Sequence, residues 1–239
     1  GASQSVYARP TDMGDPSATS DNFTIDSYNN MQYHTPAGLL PFEVQAKVAY
    51  APGLDGSINS GNAGGTVNTA SATYMGDSAT ELQVTAAPID GLAVKASYIE
   101  FSGFGDGVAA NSKQSPESGA VAVTYTTGAF TLGVSEARKS ALLSGATIAD
   151  GTVEWYQQRN MSAAFNVNDS LSLSIEQETS ETNKVTTSDT DVEQKSQAVQ
   201  AAYTMGGMTL AVSVGSYDNN GYVTGDNADQ ALFAVTMAF

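Results

Sequence analysis

The chain carries one histidine, His34, and no cysteine in 239 residues. A lone imidazole cannot build a His-rich metal centre. Without a thiol there is neither a disulfide nor a cysteine nucleophile. Serine and aspartate are abundant, yet no G-x-S-x-G elbow, no P-loop and no dinucleotide glycine fingerprint occurs. Covalent catalysis is not what these residues point to, and neither enzymatic activity nor a cofactor is expected. The stretch DNNGYVTGDNAD resembles a calcium loop in composition only. It lacks the D-x-[DN]-x-[DN]-G-x₅-E spacing and its flanking helices, so any calcium there would be adventitious. The chemistry that remains is electrostatic. Twenty-five acidic residues face nine basic ones, a formal charge of -16. That balance disfavours nucleic acid and a polybasic lipid-binding face, and favours cationic solutes.

The elements that must position these charges are strands. Period-2 alternation runs through nearly the whole chain, and helical periodicity is hard to find. DSLSLSIEQETSE sets Leu171, Leu173 and Ile175 against Ser172, Ser174 and Glu176; MTLAVSVGSY sets Met208, Leu210, Val212 and Val214 against Thr209, Ala211, Ser213 and Gly215. PFEVQAKVAY reads as a strand from Phe42 to Tyr50, with Glu43 and Lys47 two pleats apart on its polar face, placed for a wall ion pair. By the same parity Asn30, Gln32 and His34 share one face, and Lys95 lies on the polar side of LAVKASYIEF, while Arg138 is less securely placed. Arg159 falls on the apolar side with Met161 and Phe165, where its long stem can snorkel.

Connections form a second rhythm. Short turns at PIDG, Thr127–Gly128, Asn168–Asp169 and Gly206–Gly207 alternate with long polar loops. No run approaches 18 consecutive apolar residues, so helical membrane spans are not predicted, whereas strands of about nine to eleven residues suffice to cross a bilayer at a tilt. The pattern predicts an all-β protein, a transmembrane antiparallel β-barrel to which this chain supplies about eleven strands. TVNTASATY is an alternative twelfth. An odd count with both ends on one side implies strands supplied upstream, by a second chain or a segment outside this sequence. Phe42, Tyr50, Tyr98, Phe130, Tyr217 and Phe239 are expected in interfacial girdles. The rival reading is a non-channel structural or adhesive β-protein of the cell surface.

DSYNNMQYHTP, hairpins such as TYTTGAFTLGVS and AYTMGGMTLAVS, and the terminal FAVTMAF together resemble a Gram-negative outer-membrane general diffusion porin of the sixteen-stranded trimeric type, over about Asp26 to Phe239. The resemblance implies a homotrimer integral to the bacterial outer membrane, in contact with lipid and lipopolysaccharide, with five strands preceding the eleven. It implies a passive channel for small hydrophilic solutes and ions. Residues 1–25 would be the end of an inward-folded constriction loop and residues 26–239 the barrel strands. Arg9, Asp12, Asp15 and Asp21 would then line the constriction, and Asn30, Gln32, His34, Glu43, Lys47 and Lys95 the pore wall. The arginine ladder usual in that family is not visible. The acidic excess predicts a preference for cations.

Overall fold

The computed structural model describes residues 30–52, 78–102, 112–140, 143–144, 153–184 and 191–237. Its strands are β1 Met31–His34, β2 Gln45–Pro52, β3 Ser78–Ile89, β4 Leu92–Ser102, β5 Ser112–Gln114, β6 Glu117–Thr127, β7 Phe130–Ser140, β8 Leu143–Ser144, β9 Val153–Asn166, β10 Leu171–Lys184, β11 Glu193–Met205, β12 Met208–Asp218 and β13 Ala228–Met237. Eleven of them form one sheet in the order β1-β2-β3-β4-β6-β7-β9-β10-β11-β12-β13, and β5 pairs β8 in a small sheet that ties two long connections together. Every pair in the large sheet is antiparallel. The sheet is a pure meander with β1 and β13 as its edges. Among the described residues no helix is long and apolar enough to cross a membrane, which says nothing about crossing by strands.

Local chemistry explains the tight turns. Gly91, between β3 and β4, has φ +76°, and a Cβ there would collide with the Thr126 carbonyl of β6. Only glycine fits a positive φ with backbone so near. Between β9 and β10 the Asn168 side-chain carbonyl accepts hydrogen bonds from the backbone N–H groups of Ser170 and Leu171, both at 2.9 Å. This is how asparagine closes a turn with its own side chain. In β3, Pro88 has no N–H to give its neighbour, and the register shifts between Ala86 and Ile89.

One segment departs from the sequence reading. Pro41–Glu43 is a 3₁₀ turn, and β2 begins only at Gln45. Pro41 presets the first turn position, and Phe42 and Glu43 both take positive φ. Glu43 therefore stands outside the strand rather than two pleats from Lys47.

The two faces of the sheet are inverted relative to a water-soluble protein. Leu132, Ala163, Ile175, Val199, Val214 and Ala231 lie on one continuous row across β7, β9, β10, β11, β12 and β13. On this face large apolar side chains are exposed: Val199 61%, Phe233 65%, Ile175 57%. The opposite face shields polar ones, among them Gln200, Ser180, Glu178 and Asn160. An exposed apolar belt this extensive marks contact with lipid or another protein. In hydrocarbon, a sheet must also pair all its backbone groups.

Candidate pore wall

The polar face is assembled by parity and register. On β1 to β4 it carries Gln32, His34, Gln45, Lys47, Glu81, Gln83 and Lys95; His34 pairs with Lys47, Lys47 with Gln83, and Lys95 with Thr85. Gln32, His34, Lys47 and Lys95 thus share the face on which the sequence placed them. The His34 ring lies 3.0 Å from the Gln32 amide oxygen, and Gln83 donates to Glu81 at 2.6 Å. Asn30 precedes β1 and is half-buried. Glu43 is exposed in its turn. Arg9, Asp12, Asp15 and Asp21 lie outside the described residues, as do Phe239 and the alternative strand TVNTASATY.

Across the sheet the same face becomes amide- and carboxylate-rich. Glu178 of β10 stands opposite Asn160 of β9, and Glu176 opposite Ser162. Asn160 donates through Nδ2 to Glu178 Oε2 at 3.3 Å and also to Glu176 Oε1. Ser174 donates to the Gln200 amide oxygen of β11 at 3.1 Å. Three successive face positions of β9 retain polar atoms with no hydrogen-bond partner among the described residues: Gln158 Nε2, Asn160 Oδ1 and Ser162 Oγ. All three residues are more than nine-tenths buried. Buried polar atoms are costly unless satisfied, and ordered water is their usual partner when the protein offers none.

The opposite face carries a charged cluster on the side of the long connections. Glu136 contacts Arg138 at 3.1 Å and Arg159 at 3.7 Å, and accepts from Gln157 at 2.7 Å. Arg138 lies 5.6 Å over the Trp155 ring. Tyr98 donates to Glu117 at 2.6 Å. Arg159 therefore sits where its parity with Met161 put it. Arg138 faces outward, and the inward position beside it belongs to Lys139, which is buried. Tyr50, Tyr98 and Phe130 lie on the outward face, Phe130 stacked on Phe165 at 4.5 Å. Tyr217 does not. It pairs with Ser196 and Ala228 on the polar face, is buried, and donates to Gln230 at 3.1 Å. Parity, not aromatic character, decides its side.

Among the described residues no group of three or more His, Cys, Asp or Glu could hold a metal ion. The residues that sequence reasoning missed are Asn160, Glu176 and Glu178 as a group, with Lys139. Their signal was present, since IEQE puts both glutamates on the side opposite Leu171, Leu173 and Ile175.

An antiparallel meander of hairpins with one apolar and one polar face resembles part of the wall of outer-membrane β-barrels, and the comparisons with solved structures support that likeness of fold. Salmonella typhi OmpF, in its complex with daunomycin, matches with a TM-score of 0.62 at 15% identity, over 87% of this chain and 61% of that one. OmpT, an outer membrane protein of Vibrio cholerae folded in vitro, matches with a TM-score of 0.50 at 15% identity, over 86% of this chain and 60% of that one. The chain thus spans about three-fifths of the length of either. No protein-family model and no curated protein matches the sequence.

Proposed function

We propose that the chain forms most of the wall of a passive diffusion channel for small hydrophilic solutes and ions in a bacterial outer membrane, with a preference for cations. The observation that carries this is the inversion of the sheet's faces, with Val199, Ile175 and Phe233 exposed on one side and amides and carboxylates such as Gln200 and Glu178 gathered on the other. The apolar outer belt supports it, because a soluble adhesive sandwich would cover that belt with a second layer. Passage needs no covalent step; selectivity follows from pore radius and wall charge.

Strand direction constrains how such a sheet could close. Ten antiparallel steps separate β1 from β13, so the two edges run parallel. Antiparallel closure needs an odd number of further strands, and five would make the sixteen that leave an aqueous lumen. In this reading an upstream segment or a second chain supplies them, three copies associate, and the outward Arg138, Arg159 and Glu136 cluster meets the lipopolysaccharide headgroups. Arg9, Asp12, Asp15 and Asp21 remain the proposed constriction residues, facing a wall of Asn30, Gln32, His34, Lys47 and Lys95, with Glu43 at its short-turn rim. The test is a liposome-swelling assay of the native assembly with uncharged sugars of rising size. Uptake that falls steeply with solute size supports a size-limited pore; swelling no faster than protein-free liposomes overturns it.

A further inference from the structure

We infer that the connection between β12 and β13, residues 219–227, is a fixed lip folded over the polar face, and that it narrows the mouth of the channel on the side of the long connections. The inference rests on the channel reading and assigns part of the passage's cross-section to particular residues.

The connection does not stand up from the end of its own hairpin. It leans across the sheet and touches the neighbouring strands in turn. Over β11, the Asn219 side-chain amide donates to the Glu193 carbonyl at 2.9 Å, and the Gly221 N–H donates to Gln194 Oε1 at 2.8 Å. Over β10, the Tyr222 hydroxyl lies 2.7 Å from Ser180 Oγ. Over β9, the Tyr222 ring meets the Tyr156 ring with centroids 5.6 Å apart. Strands lie about 4.8 Å apart, so Tyr222 meets a side chain rooted about 14 Å across the sheet from β12. Parity gives the face. Ser180 opposes Gln194, and Thr182, one pleat on from Ser180, opposes Tyr156; all four belong to the polar side. The connection therefore lies where the channel reading puts water, away from the apolar belt. On β2 to β4 that face is open, with Lys47, Gln83 and Lys95 exposed, whereas beneath the connection Ser180 is 1% exposed and Gln194 2%.

The connection is held in place. Asn219 and Tyr222 both take positive φ, which a residue as bulky as tyrosine adopts only where its surroundings impose it. Asn219 Oδ1 accepts from the Gly225 N–H at 2.9 Å, Asn227 Oδ1 from the Asn219 N–H at 3.2 Å, and the Asp226 carbonyl from the Asn220 N–H at 2.6 Å. These bonds close the connection on itself, and Tyr222 pins it to β9 and β10. Pore radius governs passage, so a layer of chain fixed over this part of the wall reduces flow at that level.

The test is the single-channel conductance of the full native assembly in a planar bilayer. Replacing residues 219–226 by Asn-Gly joins Asp218 to Asn227 through a two-residue hairpin turn and removes the lip. Conductance is expected to rise by about 1.3-fold or more, because a wider mouth passes more current. Tyr222→Ala keeps the length and the β11 bonds but loses both outer anchors, so a smaller rise is expected. Tyr222→Phe retains the ring and is expected to stay nearer the wild type. Should the shortened hairpin fail to assemble, Val223→Cys supplies a second reading. Val223 is 57% exposed and the chain has no cysteine, so a methanethiosulfonate reagent bearing a trimethylammonium group finds its one attachment point on this chain there. The added bulk is expected to lower the conductance, with the wild type treated in parallel unchanged. A shortened hairpin, or a labelled Val223→Cys variant, that conducts as the wild type does overturns the lip while the channel stands. A wild type that inserts but carries no current overturns the channel reading and the lip with it.

Discussion

Replacing Val212 by arginine tests which face of the sheet meets lipid. Val212 is 43% exposed and flanked in register by Ala201 and Phe233. Along β12 the outward positions are Met208, Leu210, Val212 and Val214, so Val212 lies within the apolar belt rather than at its rim. Arginine near the midplane of a membrane barrel costs about 2–4 kcal/mol. That lowers the folding equilibrium constant by roughly 30- to 1,000-fold. Ala211, the adjacent residue, points to the other face, between Ala202 and Ala234. Small neighbours leave room there, and arginine on a watered wall should cost no more than about 1 kcal/mol. Urea titration of each variant in lipid vesicles, followed by intrinsic fluorescence, measures the difference. Equal losses, or a greater loss for Ala211→Arg, would refute the assignment of the faces.

Other perturbations address the turns and the aromatic contact near them. Gly91→Ala combines a positive φ with a collision against the Thr126 carbonyl, so a loss of about 3 kcal/mol or more is expected, read as a lower urea midpoint. Asn168→Ala removes the acceptor of two backbone N–H groups and should cost about 1–2 kcal/mol, with the closer mimic Asn168→Asp restoring most of it. Phe130→Ala breaks the stack on Phe165 at an outward position. A loss of about 1 kcal/mol from the aromatic pair is expected, with the conductance of the proposed channel unchanged because the ring lies on the apolar face.

Much of the fold was legible because a strand's faces follow from parity alone. The alternation in MTLAVSVGSY and DSLSLSIEQETSE located β12, β10 and their outward rows, and glycine or asparagine marked each short turn. Parity also placed His34, Lys47 and Lys95 together. It failed where local backbone chemistry overrode it: Pro41 and the positive φ of Phe42 and Glu43 take Glu43 out of the strand. Tyr217 was misplaced for the opposite reason, since residue type was followed where parity already gave the buried side. The Asn160 group was only half legible. Both glutamates can be read from IEQE, but the register that brings Asn160 opposite Glu178 depends on the geometry of the Asn168 turn, which spacing alone does not specify.

Single-channel recording of the native assembly in a planar bilayer tests the central claim most directly. The account predicts stable, ohmic current steps that carry both ions and favour the cation, with three equal steps closing independently where three copies associate. A folded, membrane-inserted assembly that carries no current would contradict it, and would mean that the polar face encloses packed side chains rather than water.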